Sequence, residues 1–252
     1  MPGFYLFNEL TRERLKELAP ESLVVLPVGA TEQHGPHLPV GTDTFAVQYI
    51  ARSAAQRASS EITAILAPTL PFGSSHHHLP FGGTFSVSTE IYYRLLAELL
   101  ESLVAGGFRK AFILNGHGGN AELIQLAARD VARSHPISVA AAPYWTIAWD
   151  ALVDAGIHQQ GKLPGHAGRF ESSLVLALRP DLVVEPRPHR DLAEPTGQPR
   201  MTSPYRSEHH GSWQAMDGFT DSPDLGSAEI GERALALAIE AVSQAFVAFA
   251  RE

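Results

Sequence analysis

The chain has 252 residues, is 44% hydrophobic, carries a formal net charge of −8 and contains no cysteine. Length and apolar content suit one large α/β domain or two small ones, and no apolar run is long enough to suggest a membrane span. The acidic balance offers no basic face for phosphate, which argues against a nucleic-acid partner, and the lack of cysteine removes disulfides, thiolate metal sites and cysteine nucleophiles together.

In chain order, MPGFYLFNELTRER lacks a basic start followed by an apolar stretch, so no signal peptide is read there and the expected location is the cytoplasm. Thr11 reads as the N-cap of a short helix over Arg12–Leu18, and Ser22–Val28 (SLVVLPV) as a buried strand. Thr42 and Asp43 are expected to cap a helix running to about Ala58, followed by a strand at Ile62–Leu66 and a long loop from Pro68 to Thr84. Ser88 opens the amphipathic helix TEIYYRLLAELLESLVA, which Gly106 and Gly107 stop. Lys110–Leu114 is a third strand, Asn115–Asn120 a glycine-rich turn into a helix over Ala121–Ser134, and Ser138–Ala142 a fourth strand. Helices follow at Gly168–Leu178, ended by Pro180, and at Ser227–Arg251. This alternation implies a single α/β domain over residues 1–252, with a mostly parallel sheet flanked by helices on both faces. The Pro-, Gly- and His-rich stretch 185–226 reads as an ordered excursion near the site or a subunit contact, because only one helix follows it.

Four clusters carry chemistry. PVGATEQHGPHLPVGTD (Pro27–Asp43) crowds Glu32, His34, His37 and Asp43 into a loop just after a buried strand. That is where α/β proteins place their sites, and two carboxylates with an imidazole make a divalent-metal half-site. The competing reading is a polar surface loop. Asn115-Gly-His117-Gly-Gly-Asn120 throws His117 out at a strand's C-terminal end; it also reads as a plain tight turn or a phosphate cradle, although it is neither G-x-G-x-x-G nor a P-loop. Gly165-His166-Ala167-Gly168 leads to Glu171, which is either a ligand or a helix-capping carboxylate. His76-His77-His78 cannot all face one ion, so one functional ring and two solvated ones are expected.

These words resemble the creatininase family, that is, creatinine amidohydrolase and its relatives. TEQHGPHLPVGTD is similar to the family's first signature, NGHGGN to its second and GHAGRFESS to its third. HHHLPFGGTFSVS and GFTDSPDLGSAEIG resemble two further segments, in the family's order, from about residue 20 onward. The resemblance implies a creatininase-like fold that assembles as a hexamer, a trimer of dimers, around a small-molecule substrate. It also implies two divalent ions per chain, zinc first, with manganese or iron as alternatives. Carried onto matching positions, Glu32 and His117 would hold one ion, His34 the other, and Asp43 would bridge them. Creatininase itself takes a further Glu at the position of Gly119, so the vacant place falls to Glu171. His166 would be the substrate-facing acid or base, while His78, Gly118 and Gly119 would contact substrate.

The implied chemistry is hydrolysis of a carbon–nitrogen bond other than an ordinary peptide bond, in an amide, cyclic amide or formamide, by a metal-bridging hydroxide. A peptidase or a hydrolase of an oxidised inositol are family alternatives, and a non-catalytic metal-binding protein is a third. Gly119, Arg169, Gly82 and His77 depart from the usual family residues, which argues against creatininase proper and leaves specificity open. No G-x-S-x-G elbow and no H-E-x-x-H helix is present, which sets aside a serine hydrolase and a zincin.

Overall fold

The structure is a computed structural model that describes residues 2–191 and 210–252. Its centre is one five-stranded sheet: β1 (Gly3–Leu6), β2 (Ser22–Val28), β3 (Thr63–Leu66), β4 (Lys110–Asn115) and β5 (Ser138–Pro143). The order is β1-β3-β2-β4-β5 and every neighbouring pair is parallel. The parallel sheet flanked by helices is therefore the architecture that the alternating pattern calls for. Five of the helices are α1 (Arg12–Leu18), α2 (Thr42–Ala58), α3 (Thr89–Ala105), α4 (Ala121–Ser134) and α5 (Tyr144–Ile147). The others are α6 (Trp149–Asp154), α7 (Arg169–Leu178), α8 (Ser212–Ala215) and α9 (Ala228–Arg251).

Period-2 alternation in the strands sorts the core into two layers. Leu23 and Val25 of β2, Ala64 and Leu66 of β3, and Phe112 and Leu114 of β4 face α2, α7 and α9. Leu26, Val28, Ala111 and Ile113 face α3 and α4 on the other side. Helix spacing matches: α3 buries Tyr92, Leu96 and Leu100 four residues apart, and Ser88 accepts the Ile91 N–H as its N-cap. By length and composition α9 would suffice to cross a membrane. Here Leu235, Ala238, Val242 and Phe246 bury its apolar face in the core instead.

Local expectations differ from the structure in a few places. β1 was not anticipated, since four half-buried residues at a sheet edge carry no alternation and only pairing with β3 makes them a strand. Thr42 and Asp43 lie in the first turn of α2 rather than capping it, and Gly41 holds the N-cap position. Thr42 Oγ1 donates to Pro39 O at 2.7 Å, which leaves the Asp43 carboxylate available to the loop. Of the excursion over 185–226, residues 192–209 lie outside the described residues, and 210–226 contain α8.

Because β2 lies between β3 and β4, the chain leaves β2 toward α2 on one face and leaves β4 toward α4 on the other. Their C-terminal loops diverge and open a crevice at the sheet's carboxyl edge. One close approach sets how α7 enters that crevice. A Cβ on Gly231 of α9 would lie 1.9 Å from Ser173 O of α7, so only glycine lets the two helices pack here. Gly231→Ala gains about 1 kcal/mol of helix propensity but suffers overpacking of about 1–3 kcal/mol. The expected outcome is a lower urea midpoint; an unchanged or higher midpoint would count against this packing.

Candidate functional site

Five chain segments meet in the crevice. Glu32 and His34 come from the loop after β2, and Asp43 from the first turn of α2; the Glu32 N–H donates to Val40 O at 2.9 Å and closes that loop. His117 leaves β4 braced by Asn115, whose Oδ1 accepts the His117 N–H at 3.0 Å and whose Nδ2 donates to His117 O at 2.6 Å. Asn120 accepts from Ser74 N at 3.0 Å and donates to Gly29 O at 3.1 Å, tying the loops after β2, β3 and β4 together.

Asp43 stands between two imidazoles. Its Oδ1 is 3.2 Å from His34 Nε2 and its Oδ2 is 3.1 Å from His117 Nδ1. On the outer sides, Glu32 Oε1 is 3.2 Å from His117 Nδ1, and Glu171 Oε2 is 3.6 Å from His34 Nε2. All five groups are buried. The other ring nitrogens are taken: His34 Nδ1 donates to Glu32 O at 3.1 Å, and His117 Nε2 faces Ser74 O and Ser75 Oγ at 3.2 Å each. With those N–H groups so directed, the lone pairs of His34 Nε2 and His117 Nδ1 point at the carboxylates. Both Glu32 oxygens and Asp43 Oδ2 are buried with no hydrogen-bond partner among the described residues. Buried acceptors of this kind need a positive partner, so the donor set fits divalent cations. His34, Asp43 and Glu171 form one cluster of potential ligands, and Glu32, His34 and His166 another.

With the protein groups alone, protons supply the compensating charge. Burial opposes charge on His34, but Asp43 and Glu171 outweigh it and raise its pKa to about 10. His117 is likewise raised well above the usual value, with Glu32 and Asp43 overcoming burial. Burial works to raise Glu32, yet His117, His166 and His78 hold it well below the carboxylate range. Burial pushes Glu171 up to about 8, with His34 pulling down and Asp43 pushing up.

His166 and His78 sit beside this centre. Their rings stack at 4.2 Å, and both are driven toward the neutral form by burial, His78 to about 3 and His166 well below its ordinary value. Gln33 orders them. Its Nε2 is 2.8 Å from His78 Nδ1, 3.0 Å from Gly218 O and 3.1 Å from His166 Nε2, which is itself 3.0 Å from Gln33 O. One assignment is consistent with the Gln33 contacts. His166 Nε2–H donates to Gln33 O, and the two Gln33 amide hydrogens go to His78 Nδ1 and Gly218 O. The His166 Nδ1 lone pair then faces the Glu32 side, 3.6 Å from Oε1.

The structure thus brings Glu32, His34, Asp43, His117, Glu171, His166 and His78 together. Glu171 meets both readings open to it: it lies in the first turn of α7, accepts the Ala167 N–H at 2.5 Å and still faces His34. Ala167 holds a φ of +48°, a costly conformation for a residue with a Cβ, and this aims its N–H at Glu171. Gly119 cannot carry a ligand, since a Cβ there would lie 2.3 Å from Ser74 O and 2.5 Å from His117 Nε2. His37 turns away to Ser172 Oγ at 3.0 Å. Among the three loop histidines only His76 is exposed, bonded to Ser86 Oγ at 2.8 Å; His77 is half-buried against the centre, so one solvated ring is found rather than two. Sequence reasoning passed over Gln33, although it lies inside the first motif, and Trp213, whose ring stands 4.7 Å from His78 and 5.3 Å from His166. A cavity of about 920 Å³ opens here, walled by Gly118, Gly119, Trp145 and Trp213 as well as the ionisable groups.

A family model described as Creatininase, creatinine amidohydrolase, matches residues 8–246. The chain is 34% identical over 169 residues to the mycofactocin precursor peptide peptidase of Mycobacterium ulcerans (strain Agy99), across 65% of this chain and 61% of that protein. The match thus spans less than two thirds of that relative's length. It is 32% identical over 181 residues to the creatinine amidohydrolase of Pseudomonas putida, across 66% of this chain and 67% of that protein. A mutant creatininase of Zn-Zn type shares the fold at a TM-score of 0.77 and 26% identity, covering 95% of this chain and 96% of that one. With a family model spanning nearly its whole length, a common fold and the shared loop motifs, the chain belongs to the creatininase family.

Proposed function

We propose that this creatininase-family hydrolase is a binuclear metal-dependent amidohydrolase that cleaves a carbon–nitrogen bond of a small molecule. The observation that carries this reading is Asp43, with one oxygen turned to His34 and the other to His117. Glu32, His117 and Asp43 would hold one divalent ion, and His34, Asp43 and Glu171 the other, zinc first with manganese or iron as alternatives. When bound, such ions polarise a carbonyl and bring the pKa of water toward about 7.

The remaining work falls to the chain's own side chains. His166, kept neutral by burial and oriented by Gln33 O, presents Nδ1 as the proton acceptor for the attacking water and later returns that proton to the departing nitrogen. The Gly118–Gly119 turn walls the cavity, and its backbone N–H groups are the donors nearest in sequence to His117 for a developing oxyanion. Trp213 and His78, in ring contact at 4.7 Å, line the cavity beside His166. A second reading, hydrolysis near the end of a short peptide, is supported by the peptide peptidase of Mycobacterium ulcerans and by cavity size. At about 920 Å³ the cavity is near the upper end of ordinary ligand pockets, about 300–1,000 Å³. The reading takes neither nucleic acid nor membrane as partner, and it includes self-association of the chain.

Elemental analysis after reconstitution with Zn²⁺, paired with hydrolysis assays on formamides, cyclic amides and short peptides, tests the reading. Two ions per chain and turnover of one class are expected; less than one ion per chain overturns it. Asp43→Ala is expected to lose more metal than His34→Ala or His117→Ala. Glu171→Gln should empty one of the two sites with the fold intact and lower kcat by at least about a hundredfold, roughly 2.7 kcal/mol. Two metals retained with near-normal turnover would remove Glu171 from the ligand set.

Proton competition gives a pH signature. His34 has a folded pKa of about 10 against an ordinary value of 6.5, and His117 is raised in the same direction, so the folded chain binds the extra protons above pH 6.5. Glu171, raised from 4.5 to about 8, has the same sign, and its own loss of stability runs between those two values. The stabilisation that His34 and His117 give the metal-free protein is therefore full below the unfolded imidazole pKa and is lost as pH rises toward 10. Urea midpoints after chelation should drop between pH 6.5 and 9, and added Zn²⁺ should flatten or reverse the trend. A metal-free midpoint that rises over this interval would contradict the charge balance.

A further inference from the structure

We infer that His77 is an additional metal donor, closing the coordination sphere of the ion held by Glu32 and His117. The inference rests on the binuclear reading above but names a ligand that reading does not use. One donor atom each of Glu32, His77 and His117 lies within 4.8 Å of the other two. The His77 ring is parallel to the His117 ring, with 4° between planes and 6.0 Å between centroids, which keeps the two imidazoles neighbours beside Glu32. Independently, Glu32 is fully buried and neither of its oxygens makes a hydrogen bond among the described residues. A carboxylate so enclosed is aimed at a cation, and His77 borders the space it faces.

The loop holds His77 there. Ser75 N donates to Ser86 Oγ at 2.7 Å, and the His78 N–H donates to Ser75 O at 2.9 Å, which starts the short turn His76–Phe81. His78, at 4.1 Å, and Trp213, at 5.2 Å, pack against the His77 ring and touch each other at 4.7 Å. His76 points out to Ser86, so the turn divides its three rings between solvent, one metal and the Gln33 network. Glu32, Asp43, His117 and His77 make a set of two oxygens and two nitrogens. That set suits zinc or cobalt better than manganese, whereas the His34, Asp43 and Glu171 set has only one nitrogen. His77 therefore makes the two ions unequal in strength and in metal preference.

The test compares wild type, His77→Ala, His77→Gln and the loop control His76→Ala, each stripped and titrated with Zn²⁺ against a chromophoric chelator and with Co²⁺ by visible absorption. Thermal melting of the stripped proteins verifies folding. The expected result is two ions in wild type and His76→Ala. In both His77 variants one of the two Zn²⁺ steps should weaken by about ten- to a hundredfold, and the Co²⁺ bands of that step should shift and lose intensity. His77→Gln keeps polar bulk without an imidazole nitrogen and should match His77→Ala. Two ions in wild type with unchanged Zn²⁺ affinities and Co²⁺ spectra in the His77 variants would overturn the inference and leave the binuclear centre standing. Fewer than one ion in wild type would overturn both.

Discussion

Three carboxylates share one closed space at the carboxyl edge of the sheet, and the site is arranged around that fact. Like charges 4 Å apart repel by about 4 kcal/mol even at an effective dielectric of 20, which is large beside a folding stability of about 5–15 kcal/mol. Asp43 lies within 3.2 Å of both His34 and His117, so it is the group through which positive charge can compensate all three acids at once. Without ions, protons on the two imidazoles and a raised Glu171 perform that compensation. Two divalent ions in the same positions would do so more strongly, and the electrostatic demand that makes the protein alone uneasy is the driving force for loading them.

Rigid parts aim these groups. Asp43 is fixed by the first turn of α2 and His117 by the end of β4, which pairs with β2 along its length. Glu171 is fixed by α7, whose closeness to α9 depends on the missing side chain at Gly231. The tight wall around Gly119 explains why no carboxylate stands there, because any Cβ would strike Ser74 O and the His117 ring. The acid is supplied from the other side of the crevice, by Glu171, where the strained Ala167 backbone offers it an N–H.

Behind the ion-facing groups, one amide side chain sets the proton positions. Gln33 touches His78, His166 and the Gly218 carbonyl, and its own carbonyl oxygen accepts the Gly35 N–H at 2.8 Å. These contacts orient both rings and turn His166 Nδ1 toward Glu32 Oε1, 3.6 Å away. Trp213 of α8 and His77 of the loop after β3 also line the cavity, and both lie off the sheet.

Much of this was legible in the chain itself. The strand-helix alternation from Ser22 onward determines a parallel sheet, because apolar runs without period-2 polarity must be buried on both faces. The motif loops after β2 and β4 also pointed to Glu32, His34, Asp43 and His117, which the fold buries together in one crevice. Tertiary structure decided what local pattern does not encode. β1 exists through pairing with β3, Asp43 faces His34 and His117 because Gly41 and Thr42 handle the helix start, and Glu171 accepts the Ala167 N–H while lying beside His34 on an α7 packed closely against α9. His77 and Trp213 reach the centre from segments far apart in sequence, and no spacing rule links them to Glu32. Residue type reveals which chemistry is available, and only long-range packing determines which of those groups share an ion or a proton.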